Sequence, residues 1–243
     1  MLFKQSVATL TVPMQELLHL LSLLGKKAGG SRTIARMASF YRALMKMYCP
    51  RLREWDASKG HVWDSALAGS SSLRAAVMRA LKVENGVARG AHICHSLWDQ
   101  RKFYDSVQLP ILCAELVKRD YPKELMVLGY FVHTAPRILK VGTSYGPLVH
   151  SCSRSILAGD QQRVSWTRGL IWDLLDDLSK VDPEYPCAAH VDDLSHVLVG
   201  ESASDLKQKV LKAGRIVGAE VQRLKLTLSE NQHYSQITQT PEA

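Results

Sequence analysis

Two adjacent carboxylates, Asp192 and Asp193, sit between two short apolar runs, Cys187–Val191 and Leu194–Val199. Neighbouring anions at a tight turn repel each other, and the usual residues there are Asn-Gly or Asp-Gly. A bound divalent cation would offset that repulsion. A third acid, Asp99, ends another apolar run, Ala91–Trp98, and Asp105 follows six residues later. If the strand ending at Asp99 lies beside the hairpin, Asp99 and Asp192 point into one site and supply the oxygen ligands that hard cations take. Two Mg²⁺ ions shared by these carboxylates and a substrate triphosphate would orient phosphoryl transfer and neutralise its charge. A second pair, Asp176-Asp177, lies among Leu174, Leu175 and Leu178 and reads as the polar side or end of a helix.

The charge is distributed to match. Lys and Arg number 31 against 23 Asp and Glu, a net +8. Residues 26–53 hold Lys26, Lys27, Arg32, Arg36, Arg42, Lys46, Arg51 and Arg53 and no acid; without these eight, 23 bases face 23 acids. A local excess of this kind points to a polyanion, nucleic acid or a triphosphate, with a solvated cationic helix face as the alternative. Seven acids fall within residues 173–193, opposed by Lys180 alone. No stretch approaches the ~20 apolar residues of a membrane span, and no signal-peptide cleavage site follows the N-terminus. The five scattered cysteines form no CxxC, which argues against a disulfide scaffold or a Cys-rich zinc site. P-loop, GxGxxG and HExxH patterns are absent. The expectation is a soluble intracellular protein with no membrane partner.

The elements that must position the acids follow from periodicity and punctuation. The pattern predicts helices over 14–24 and 36–49, the second stopped by Pro50. A further helix, capped by Ser70–Ser72, runs through Leu81 with Gly86 beyond its end. Ala91–Trp98 reads as a strand. Helices at 109–119 and 122–131 and weak strands at 137–141 and 147–152 come next, then a helix at 163–179. The hairpin turns at Asp192-Asp193. A helix opens at Ser204 or Asp205, and Arg223–Leu228 alternates as a half-buried strand. This order implies an α+β fold, a small antiparallel sheet backed by helices on one face.

Four segments, in order over about residues 25–230, resemble the reverse transcriptases of non-LTR retrotransposons. Gly25-Lys26-Lys27-Ala28-Gly29-Gly30-Ser31-Arg32-Thr33-Ile34 is similar to the fingers segment K-x-G-G-x-R-P-I. Asp99-x-x-x-Phe103-Tyr104-Asp105-Ser106-Val107 is similar to D-x-x-K-A-F-D-x-V. Ala158-Gly159-Asp160-Gln161-Gln162-Arg163-Val164-Ser165 resembles G-x-x-Q-G-x-x-x-S, and His190-Val191-Asp192-Asp193-Leu194 resembles [YF]-x-D-D.

The resemblance implies the fingers and palm of a right-hand polymerase: a fingers-like region over 1–90, and a palm over 91–243 with a fingers-type insertion at about 120–158. Asp99, Asp192 and Asp193 would ligate two Mg²⁺ ions, helped by the carbonyl of Gln100. Tyr104 would stack under the sugar and exclude a 2′-hydroxyl. Lys27 and Arg32 would grip the triphosphate, a planar fork suiting phosphate, and Gln162 would contact the nucleotide or the template–primer pair. Arg36, Arg42, Lys46, Arg51 and Arg53 would line the nucleic-acid cleft. The implied partners are an RNA template, a DNA primer and deoxynucleoside triphosphates, and the family's location is nuclear.

The chain also departs from the family. Arg163 replaces Gly, His190 replaces Tyr or Phe, and Thr33 replaces Pro, and the expectation from these 243 residues is fingers and palm with the thumb lacking and no endonuclease. Two other readings stand beside RNA-dependent DNA polymerase: a decayed retroelement fragment that only binds nucleic acid, and a small α+β interaction module whose Asp pair is incidental.

Overall fold

The computed structural model describes residues 2–25, 29–67, 69–229 and 235–238. Helix Leu2–Thr9 (α1) is followed by strands His19–Gly25 (β1) and Ser31–Arg36 (β2) and the long helix Ser39–Lys59 (α2). Helix Ser72–Ala88 (α3) leads into strand His92–Trp98 (β3). Three helices follow, Phe103–Ser106 (α4), Leu109–Lys118 (α5) and Lys123–Thr134 (α6), and then strands Arg137–Val141 (β4) and Ser144–Val149 (β5). Next come helix Arg163–Ser179 (α7), the hairpin strands Ala188–His190 (β6) and Asp193–Gly200 (β7), helix Ala203–Arg223 (α8) and strand Ser235–Thr238 (β8). Among the described residues no helix is long and apolar enough to cross a membrane.

The chain divides into two compact units, Met1–Ser58 with Tyr104–Gly169, and Lys59–Phe103 with Leu170–Ala243. Where the sequence suggests one boundary at 90/91, the structure interleaves the segments, because its ladders join distant stretches. In the first unit β1 pairs antiparallel with β2 and parallel with β4, giving the strand order β2-β1-β4-β5. Residues 120–158 therefore belong with the N-terminal strands. The inward stripe of α2, Tyr41, Leu44, Met45, Leu52 and Trp55, is buried, as are Leu112, Leu116, Leu125 and Leu128 of the mutually packed α5 and α6.

In the second unit the sheet order is β6-β7-β3-β8, antiparallel throughout. Side chains alternate between its two faces. Ile93, Val197 and Val199 share one face and pack with Val83 of α3. A Cβ on Gly200, one residue further and so on the opposite face, would lie 2.6 Å from the Leu206 nitrogen in the first turn of α8. The two helices thus cover opposite faces, where the sequence places helices on one.

Several local expectations change. Residues 19–25 are strand because β1 is bonded on both edges; their apolar run suits either period, and the ladder decides. Pro50 lies inside α2 on its exposed side, where the carbonyl it leaves unpaired, that of Lys46, can face water. Helix α3 continues past Leu81 to Ala88, with Ser71 as N-cap accepting from the Arg74 amide at 3.1 Å. Residues 223–228 form no strand: Arg223 ends α8, and Lys225 turns the chain in the left-handed region at φ 54°. Leu224 and Leu226 keep their burial, and Leu228 alone bridges to Gln100.

Candidate functional site

Asp99 follows β3 directly, and Asp193 begins β7. The last pair of their ladder is Trp98 with Leu194, so one further step sets Asp99 opposite Asp193. Cross-strand partners point the same way. Both acids therefore share the face that carries Leu97 and Ser195, and all four line one recess of about 440 Å³.

His190 pairs with Asp193, which leaves Val191 and Asp192 as the two turn residues. The turn thus lies one residue before the Asp192-Asp193 position the sequence suggests. Val191 has φ 62°, a conformation costly for a β-branched residue. Val191→Gly is expected to raise stability by about 1 kcal/mol, read as a higher thermal midpoint; an unchanged or lower midpoint would show the turn unstrained. His190 is exposed, and its Nδ1 lies 3.3 Å from the Ser65 hydroxyl, which donates to the Ala189 carbonyl at 2.7 Å.

Gln100 is held against the segment after α8. The Arg101 amide donates to Thr227 O at 2.8 Å, and the Ser229 amide to Asp99 O at 2.9 Å. These bonds flank the Gln100–Leu228 bridge, so by strand alternation the Gln100 carbonyl points the other way, toward β7. Its side chain is 4% exposed, and neither amide atom has a hydrogen-bond partner among the described residues.

The donor set, three carboxylates and a carbonyl, suits a hard cation such as Mg²⁺ in kind. Among the described residues no three His, Cys, Asp or Glu side chains come together as a metal-holding cluster. Asp99 and Asp193 line the same recess, and Asp192 lies in the adjoining turn.

Sequence reasoning missed Arg79. It lines the recess from α3, in helical register with Ser72, Ala75, Val83 and Gly86 on the side toward the sheet. A cation at a core-facing position of an amphipathic helix was the available signal. His95, on the same sheet face, has its pKa lowered by burial and then by the Arg79 charge.

The other expected site residues belong to the first unit. Lys27 lies outside the described residues. Arg32 and Arg36 are exposed on β2. Arg42, Lys46 and Arg53 form one exposed stripe on α2, opposite its buried side. Arg51 lies off this stripe, around the helix, and pairs with Glu124 at 3.2 Å. Tyr104 is half-buried, while its neighbour Phe103 is the core residue at 2% exposure. Asp105 accepts from the Thr33 hydroxyl at 3.4 Å.

Gln162, which the resemblance places against the nucleotide, is engaged within the protein. It is fully buried, accepts from the Tyr121 hydroxyl at 2.7 Å and donates to the Tyr41 hydroxyl at 2.8 Å. Tyr41 also reaches Asp160, whose pKa burial raises to about 6. His133 Nε2 lies 3.4 Å from Asp160, and burial lowers the His133 pKa to about 3, so the imidazole is neutral. This network ties the segment before α7 to α2, Tyr121 and α6. Arg163 is exposed at the start of α7.

No protein-family model and no curated protein matches this sequence. Solved structures do match. Two apo telomerase structures from Candida tropicalis, one truncated from the C-terminal domain, align with TM-scores of 0.64 and 0.63, the truncated one giving the lower value. The alignments cover 91% and 96% of this chain at 13% identity. This chain spans about half of those telomerase chains, 44% and 52% respectively. At that identity the likeness is one of fold, and the fold is telomerase- or reverse-transcriptase-like, of the fingers-and-palm kind.

Proposed function

We propose that the chain is the fingers and palm of an RNA-dependent DNA polymerase of the non-LTR retrotransposon type. The observation that carries this reading is that Asp99 and Asp193, each one step beyond the last β3–β7 pair, Trp98 with Leu194, line one recess, with Asp192 in the adjoining turn. The four ordered segments and the telomerase-like fold support it. Asp99, Asp192 and Asp193, with the Gln100 carbonyl, would hold two Mg²⁺ ions. Bound there, the ions would neutralise charge on the attacking and leaving oxygens. By the resemblance, Lys27 and Arg32 would hold the triphosphate, Tyr104 would pack against the deoxyribose, and the Arg42, Lys46 and Arg53 stripe would bind template–primer phosphates.

A second reading, a copy that binds nucleic acid without polymerising it, is favoured by the lack of a three-acid cluster among the described residues. Primer extension on an RNA template with Mg²⁺ separates the two. The native chain is expected to extend the primer, and Asp192→Ala to lose more than about 100-fold, beyond what outer-shell partners of a metal contribute. Extension that survives Asp192→Ala refutes the assignment. Absent extension with binding that weakens steeply in salt supports the second reading.

A further inference from the structure

We infer that Arg79 binds the phosphates of a nucleoside triphosphate in the recess it shares with Asp99 and Asp193, an inference that rests on the polymerase reading. Among the described residues, Arg79 is the one Lys or Arg that lines the recess. It is half-buried, and among the described residues it makes no hydrogen bond or ion pair. Of the unit's other arginines, Arg89 pairs with Glu184 and Arg223 with Glu220, while Arg74, Arg101 and Arg215 are exposed to water. A guanidinium partly withdrawn from water and without a partner keeps its donors for an arriving anion.

The two acids in the recess do not repel that anion if it comes with its metal. A metal-bound triphosphate presents cations to carboxylates and oxygens to an arginine, so it answers both signs of charge at once. A planar fork takes phosphate bidentately. The recess, at about 440 Å³, lies within the range of small-molecule sites, and Ser72 and Ser195 place hydroxyls along it. Arg79 gives the second unit a phosphate contact of its own, separate from Lys27 and Arg32.

The test is equilibrium binding of radiolabelled dTTP to the full chain in Mg²⁺, with circular dichroism to verify folding. Arg79→Ala is expected to weaken binding by about tenfold or more, the scale of one hydrogen-bonded charge. Arg79→Lys recovers part of the loss, Arg215→Ala on the exposed side of α8 changes nothing, and inorganic tripolyphosphate competes. Equal binding by the native chain and Arg79→Ala overturns the inference, as does a folded native chain that binds no dTTP. If Arg79→Ala does not fold, binding by Arg79→Lys equal to the native chain overturns it. Arg79-dependent binding without primer extension sinks the polymerase reading and leaves this one standing. Extension together with binding indifferent to Arg79 does the reverse.

Discussion

Between pH 7 and pH 5 the unfolding free energy is expected to fall by about 2 kcal/mol for each of two buried histidines, His133 and His196. Burial lowers His133 from 6.5 to about 3 and His196 to about 4. Each folded value is depressed, so the unfolded chain takes the proton first. The stability from these groups is complete above pH 6.5 and drains away as pH falls toward the folded values. Asp160 works in the opposite direction. Burial raises it from 3.8 to about 6, so its contribution is full below 3.8 and lost as pH rises through 6. Over the same interval it returns about 1 kcal/mol.

His196 allows a sharper test, because it is fully buried in β7 and neither ring nitrogen has a hydrogen-bond partner among the described residues. His196→Leu removes two unsatisfied polar atoms at similar volume. It is expected to stabilise the chain at pH 7 by about 1–2 kcal/mol and to cancel its own share of the acid loss. Urea titrations at pH 7, 6 and 5 give both readings. A native midpoint flat with pH, or a variant weaker at pH 7, would count against the account.

Gly159→Ala is expected to cost about 3 kcal/mol or more. Gly159 has φ 125°, and a Cβ there would lie 2.6 Å from the Ala35 carbonyl oxygen. The segment is tied to β2 by the Ala35 amide, which donates to Ala158 O at 2.8 Å. No flexible side chain can move aside. Gly146→Ala is the control: its Cβ would meet Leu139 at an ordinary 3.6 Å. Thermal unfolding in which Gly159→Ala matches that control would show that the backbone relaxes freely.

The structure also separates what the residue pattern could reveal from what it could not. Helix α7 was legible because Val164, Ile171, Leu174, Leu175 and Leu178 recur at helical spacing, and β3 and β7 were legible as apolar runs bounded by acids. Their register, which sets Asp99 against Asp193, depends on pairing between distant segments. β1 was misread because a short leucine-rich run fits two periods, and only its partners β2 and β4 decide between them. Gln162 matched a family segment, yet Tyr41 and Tyr121, remote in sequence, fix its surroundings. The Gly159 of that same segment has a role that can be stated physically, close approach to the Ala35 backbone.

The parallel pairing of β1 with β4 also constrains how the protein is made. β1 leaves the ribosome long before its second partner is translated, a delay on the order of ten seconds at cellular elongation rates. Throughout that interval a nascent apolar strand has one edge uncovered. Folding of the first unit is therefore posed as a race between chaperone shielding and aggregation, settled only when β4 emerges.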